Sequence, residues 1–210
     1  MSRVELLCVV AAFFALIIFG ALLIQWGSRS SRLTICSNNL QRVGLAIRAH
    51  SYFLNADWYF NQPTNWWEPL DLPHSEGVFR YFQAVSNELG NPQLLLCPTD
   101  WERHAAANFT FLGNSNISYF LQLNASDTSP VAVLAGDRNL IVDGKLLESG
   151  NYEIPTEKVV SWGKNLHKNR GNIVLSHGRV EQDPDGKAIN RALQNTPFVN
   201  GPAANILAIP

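Results

Sequence analysis

Two histidines, two cysteines and a few isolated acids are the residues of this chain whose types and spacing could do chemistry. His167 and His177 flank the apolar segment Gly171-Asn172-Ile173-Val174-Leu175, and His50, His74 and His104 stand elsewhere. Two histidines facing each other across a hairpin would start a metal site, because imidazole nitrogen binds zinc. Such sites need further Cys or carboxylate ligands at short chain spacings, and none completes a recognised pattern here. The histidines therefore read as turn and packing residues, and no metal is assigned.

Of the three cysteines, Cys8 lies inside an apolar run and reads as a small apolar side chain. Cys36 and Cys97 are a candidate disulfide closing a loop of about 60 residues, worth roughly 4 kcal/mol in the chain-entropy model. Two buried free thiols are the alternative, and spacing alone does not decide between them. The acidic spots are Asp137-Arg138 and Asp183-x-Asp185-Gly186. The second loosely resembles a calcium loop, but it lacks the distal Glu and the oxygens of an EF-hand. A plain Asp-Gly turn is the default there, with calcium the lesser reading. The chain has no Gly-x-Ser-x-Gly, phosphate-binding loop, His-Glu-x-x-His or Cys-x-x-Cys. No catalytic residue is assigned, and a hydrolase built on His167 and His177 ranks last among the readings.

The elements that must position these residues begin with an unusual N-terminus. Residues 6–24 are 19 in a row without a charge. As a helix they extend about 28 Å, close to the roughly 30 Å of a bilayer core. Residues 1–27 are accordingly expected to form a transmembrane helix half. Glu5 stands at its tip, where an unpaired carboxylate costs several kcal/mol. Beyond the run, Leu33, Cys36, Leu40, Val43 and Ile47 recur at alternating spacings of three and four, one stripe on a helix. Ser37, Asn38, Gln41, Arg42 and Arg48 take the opposite face. No proline precedes Pro63, so one helix is expected from residue 4 to about 54, with 28–55 its amphipathic half.

Residues 56–210 are expected to form an α+β domain on that helix. Trp58, Trp66 and Trp67 lie in a Pro-rich segment that reads as a loop over a sheet edge, or as an aromatic binding surface. Residues 77–89 read as a short helix and 94–97 as a short strand or turn. Residues 117–123, 131–134, 140–142 and 171–175 read as strands. Asp143-Gly144 and Ser176-His177-Gly178 are hairpin turns, with Gly178 suited to positive φ. Residues 199–210 read as a weakly structured tail. The formal net charge of −1 does not favour a nucleic-acid partner.

Several of these features occur in a recognisable order. Val4-Glu5-Leu6-Leu7-Cys8-Val9-Val10-Ala11 resembles the N-terminus of type IV pilins and type II secretion pseudopilins. Cys36-Ser37-Asn38-Asn39-Leu40, continuing to Gly44-Leu45-Ala46, is similar to the Cys-x-Asn-Asn-Leu segment of bacterial pseudopilin-like proteins. Cys97-Pro98-Thr99-Asp100 matches their Cys-Pro-Ser-Asp element. His167, nine residues and then His177-Gly178 stand where that group has His-x9-Asp-Gly.

The resemblance implies a pilin-like fold, in which a long N-terminal helix packs on an antiparallel sheet. It implies a single-pass bacterial inner-membrane protein with its C-terminal domain periplasmic or extracellular, although Arg29, Arg32, Arg42 and Arg48 point the other way by the positive-inside count. The implied role is structural and non-enzymatic: a subunit or accessory protein of a secretion pseudopilus or pilus-like filament, assembled through Glu5 and the N-terminal helix. Its partners would be other pseudopilin subunits, inner-membrane secretion components and the lipid bilayer, with no cofactor required. The group's basic leader would lie ahead of Met1. The alternative expectation is a membrane-anchored periplasmic binding module with a Trp-rich surface.

Overall fold

A computed structural model of the chain describes residues 3–53, 77–125, 129–196 and 204–210, and within the first segment the side chains of 12–23 and 32–53. Helix α1 occupies Arg3–Phe53. The chain divides into two compact units, Met1–Thr34 and Ile35–Pro210. Residue 55, the other boundary read from the sequence, lies outside the described residues, as do Trp58, Trp66, Trp67 and His74, and the side chains of Glu5 and Cys8.

In the first unit, residues 12–23 are helical and their large apolar side chains are exposed, from Leu23 at 50% to Leu16 at 70%. The expected membrane span is overturned here. Among the described residues no helix is long and apolar enough to cross a membrane. The rest of the described helix carries Arg32, Arg42 and Arg48 among Asn38, Asn39 and Gln41, groups that hydrocarbon excludes. The single-pass inner-membrane placement and the pilin-like fold are corrected with it. What the chain has is a mixture of helices and antiparallel sheets.

The second unit is organised by two core layers. Its larger sheet has six strands in the order β5-β9-β1-β2-β7-β8, formed by β1 (Tyr119–Gln122), β2 (Val133–Asp137), β5 (Gly150–Pro155), β7 (Gly171–Leu175), β8 (Val180–Asp183) and β9 (Ala204–Ile209), every pair antiparallel. A three-stranded sheet joins β3 (Leu140–Val142) to β4 (Lys145–Leu146) and β6 (Val160–Trp162). Alternation along each central strand sorts side chains between the layers. Tyr119, Leu121, Val174 and Ala208 enter one layer with Cys36, Leu40, Val43 and Ile47 of α1. Phe120, Ile173, Leu175, Leu207 and Ile209 enter the other with Trp162 and Ile189. In β2 the register shifts between Val133 and Ala135, and there Leu134 and Ala135 both face the α1 layer.

The α1 stripe buries itself because it is apolar at helical spacing and the sheet offers a matching apolar face. The approach is close. A Cβ built on Gly44 would lie 2.5 Å from Val174 Cγ2, so only glycine lets the helix sit at this depth.

Three local readings need correction. The helix expected over 77–89 is two pieces, α2 (Phe79–Ala84) and α3 (Ser86–Leu89), broken where Val85 leaves helical φ/ψ. Residues 94–97 lead out of a 3-10 turn, Pro92–Leu95. The tail expected to be weakly structured holds β9, which is inserted between β1 and β5 with both faces largely buried. Strand β6 and helix α4 (Lys187–Gln194) were also not expected from local pattern.

Candidate functional site

Four segments distant in sequence meet around one sulfur pair. Cys36 of α1 and Cys97 form a disulfide with Cα atoms 5.1 Å apart, both fully buried. Three residues along α1, Asn39 donates through Nδ2 to the Leu96 carbonyl at 3.1 Å, a second tie between the same two segments. Asn38 is exposed, and Leu40 packs in the core.

Cys97-Pro98-Thr99-Asp100 is a tight turn, with the Asp100 N–H donating to the Cys97 carbonyl at 2.9 Å. Pro98 is exposed and presets φ for the turn. The Cys97 N–H donates to Ser118 Oγ at 3.0 Å. The turn points Thr99 Oγ1 at His167 Nδ1, 3.1 Å away, and sends the Asp100 carboxylate towards Arg138.

His167 enters from the segment between β6 and β7 and is buried. Its Nε2 lies 3.4 Å from Cys97 Sγ and 3.3 Å from Asp137 Oδ2. Asp137, the last residue of β2, is fully buried, and its Oδ2 accepts from Asn172 N–H at 2.7 Å and from Asn172 Nδ2 at 2.8 Å. Its Oδ1 is buried without a hydrogen-bond partner. Next in the chain, Arg138 donates through Nε and Nη2 to the two oxygens of Asp100, each at 2.8 Å, and through Nη2 to Glu102 at 2.5 Å.

The electrostatics follow from burial. Tyr119 is pushed well above the ordinary tyrosine range, first by its complete burial and then by the negative charge of Asp137. Burial acts to lower Arg138, but its hydrogen bonds to Asp100 and Glu102 outweigh it and the net shift is upward. Arg103 is lowered by burial and by its neighbour Arg138, against the pull of Asp100 and Glu102.

The motif residues singled out in the sequence therefore divide into two places. Cys36, Asn39, Cys97, Asp100 and His167 converge on the disulfide, with Thr99 between them. His177 and Gly178 form the β7–β8 turn at the other end of β7. There His177 Nδ1 is 2.5 Å from the Pro130 carbonyl, and the His177 carbonyl accepts from Arg48 Nη1 at 3.3 Å. Gly178 has φ +89° and lies against the same guanidinium, so a side chain has neither the conformation nor the room. The structure does not bring His167 and His177 together.

The acidic loop read as a lesser calcium candidate uses its buried oxygens otherwise. Asp183 accepts from Trp162 Nε1 at 3.0 Å and from the Ala188 and Ile189 N–H groups, each at 3.1 Å, which satisfies the start of α4. Asp185 is exposed and pairs with Lys187 at 2.6 Å.

Sequence reasoning left Tyr119, Asn172 and the role of Asp137 unassigned. The available signal was the charged dipeptide Asp137-Arg138 directly after an apolar strand, because charges that follow a buried strand must find partners. Among the described residues, the ligand atoms of Cys36, Cys97 and His167 lie within 4.8 Å of one another, the one such group of three or more metal-ligating side chains.

With the disulfide closed, the cluster is a cross-link and a polar clamp inside the core. In comparisons with known proteins, no family model, no curated protein and no solved structure matches this chain.

Proposed function

We propose that this protein is a structural subunit or accessory component of a pilus-like filament, of the type II secretion pseudopilus kind, assembled through its N-terminal helix. One observation carries the reading. The helix over residues 12–23 presents Phe13, Phe14, Leu16, Ile17, Ile18, Phe19, Leu22 and Leu23, all exposed. A helix apolar on every side is stable only when other apolar surface encloses it. An exposed apolar surface of this size marks an interaction site. Helices of neighbouring subunits fit it, since a bundle core buries all faces at once and needs no particular helix length.

The cross-linked domain supports the same role. Its buried charged groups Asp100, Asp137, Arg138 and His167 are engaged in internal bonds, which suits a rigid building block. The N-terminal segment supports it through its resemblance to pilin and pseudopilin N-termini.

Ile17→Glu in the full-length chain tests the proposal. Cysteines placed at Phe14 or Leu22 are expected to cross-link between copies under oxidation. Ile17→Glu should abolish that cross-linking while the domain keeps its thermal transition. Cross-linking that is absent in the parent, or that survives Ile17→Glu, sinks the proposal. Glu5→Leu should likewise prevent incorporation into assemblies.

A further inference from the structure

We propose that the reduced chain binds one zinc ion, with Cys36 Sγ, Cys97 Sγ and His167 Nε2 as ligands and the Asp137 carboxylate in the fourth position. The two sulfurs and the imidazole nitrogen already lie within 4.8 Å of one another. In a tetrahedral zinc site, bonds of about 2.0–2.3 Å place ligand atoms roughly 3.3–3.8 Å apart. Cys97 Sγ to His167 Nε2 is 3.4 Å and His167 Nε2 to Asp137 Oδ2 is 3.3 Å, so two edges of that polyhedron are already at length. The sulfurs, no longer bonded to each other, move apart, and the Asp137 carboxylate, which stands outside the group of atoms within 4.8 Å of one another, closes on them from its place beside His167.

The surroundings complete the argument. His167 Nδ1 faces Thr99 Oγ1 at 3.1 Å. A hydroxyl can donate or accept, so Thr99 Oγ1 can accept from an Nδ1–H, the tautomer that leaves the Nε2 lone pair free for a metal. Asp137 brings a carboxylate whose Oδ1 is buried and unpartnered, an acceptor with nothing to accept from. All four side chains are buried, with His167 the most exposed at 6%, so the metal would be enclosed. An enclosed site with four protein ligands is structural rather than catalytic.

Zinc and the disulfide exclude each other, because metal binding needs two thiolates and the bonded sulfurs supply none. The metal therefore belongs to the chain before the cross-link forms. Binding releases the two thiol protons to solvent, and the ion ties α1 to the Cys97 turn as the disulfide otherwise does.

The test uses the full chain reduced in denaturant by a phosphine and refolded without oxygen in the presence of Co2+. One equivalent should bind, with a thiolate-to-cobalt charge-transfer band in the near ultraviolet and the visible bands of a tetrahedral site. The oxidised chain should bind none. Cys36→Ser or Cys97→Ser should weaken the charge-transfer band, and His167→Ala should lower affinity by about tenfold or more. His167→Cys should keep the site and intensify the band by adding a third thiolate, which decides the matter if His167→Ala fails to refold. No stoichiometric Co2+ binding by the reduced chain, or a band unchanged in the Cys36→Ser and His167→Cys chains, would overturn the proposal.

Discussion

Arg138 grips Asp100 through two parallel hydrogen bonds of 2.8 Å, joining the end of β2 to the turn that carries Cys97. Planar guanidinium and planar carboxylate match in this geometry, so the bond sets direction as well as distance. Glu102 takes a further Arg138 proton from the more exposed side. The turn is thereby held at three points: the sulfur of Cys97, the hydroxyl of Thr99 and the carboxylate of Asp100.

Removing the cation from this arrangement leaves carboxylates without their partner, Asp100 deeply buried. Arg138→Met is expected to destabilise the domain by about 3–5 kcal/mol. Asp100→Asn should cost less, because Glu102 still partners the guanidinium. Pairing Arg138→Met with Asp100→Leu should recover part of the loss. Urea denaturation of the three variants measures this, and a double variant no better than Arg138→Met alone contradicts the burial argument.

Gly44 sets the depth at which α1 lies on β7. An added methyl would meet Val174 Cγ2 at 2.5 Å, and overpacking of this kind costs about 1–3 kcal/mol. Alanine also gains about 1 kcal/mol of helix propensity over glycine, which offsets part of the cost. Gly44→Ala should therefore destabilise modestly, and Gly44→Leu severely. Val174→Ala should rescue Gly44→Ala in a double-mutant cycle, and a coupling energy near zero would show that the close approach is not the cause.

Tyr119 predicts how the domain responds to alkali. Its pKa is raised well above the usual value by burial and then by Asp137, and Tyr81 is raised by burial. Below the unfolded tyrosine pKa of about 10, both states carry the phenolic proton and this contribution is constant. Above it, the unfolded chain releases protons that the folded chain keeps, so stability falls as pH rises towards the folded pKa. Denaturation midpoints should hold up to about pH 9 and decline from about pH 10. Tyr119→Phe should flatten part of that decline, and an unchanged alkaline slope in that variant removes Tyr119 as its source.

Much of the domain can be read locally. The spacing of Cys36, Leu40, Val43 and Ile47 marks the buried face of α1, and all four are fully or almost fully buried. Asp143-Gly144 marks the β3–β4 turn, where both residues take positive φ. The Gly178 turn between β7 and β8 was visible for the same reason. Each signal depends on residues a few positions apart, the range over which helix periodicity and turn chemistry act.

The membrane span was misjudged from the same kind of evidence, because an uncharged run measures hydrophobicity without saying what will cover it. The order of the sheet was beyond local reading altogether. Strand β9 pairs with β1 across more than 80 positions of chain, Leu121 opposite Ala208, and nothing in Asn205-Ile206-Leu207 names its neighbours.

By itself, then, the sequence determined the second half of α1, the helix face that must be covered, and the hairpin turns at Asp143-Gly144 and Gly178. It also marked Cys36 and Cys97 as a candidate pair, and Asp100, Asp137 and His167 singly. Only the tertiary structure decided that these five stand together and that His177 stands apart from them. Side-chain chemistry acts over a few ångströms, and which distant residues come within that range is settled by how the strands are ordered and the helix is seated.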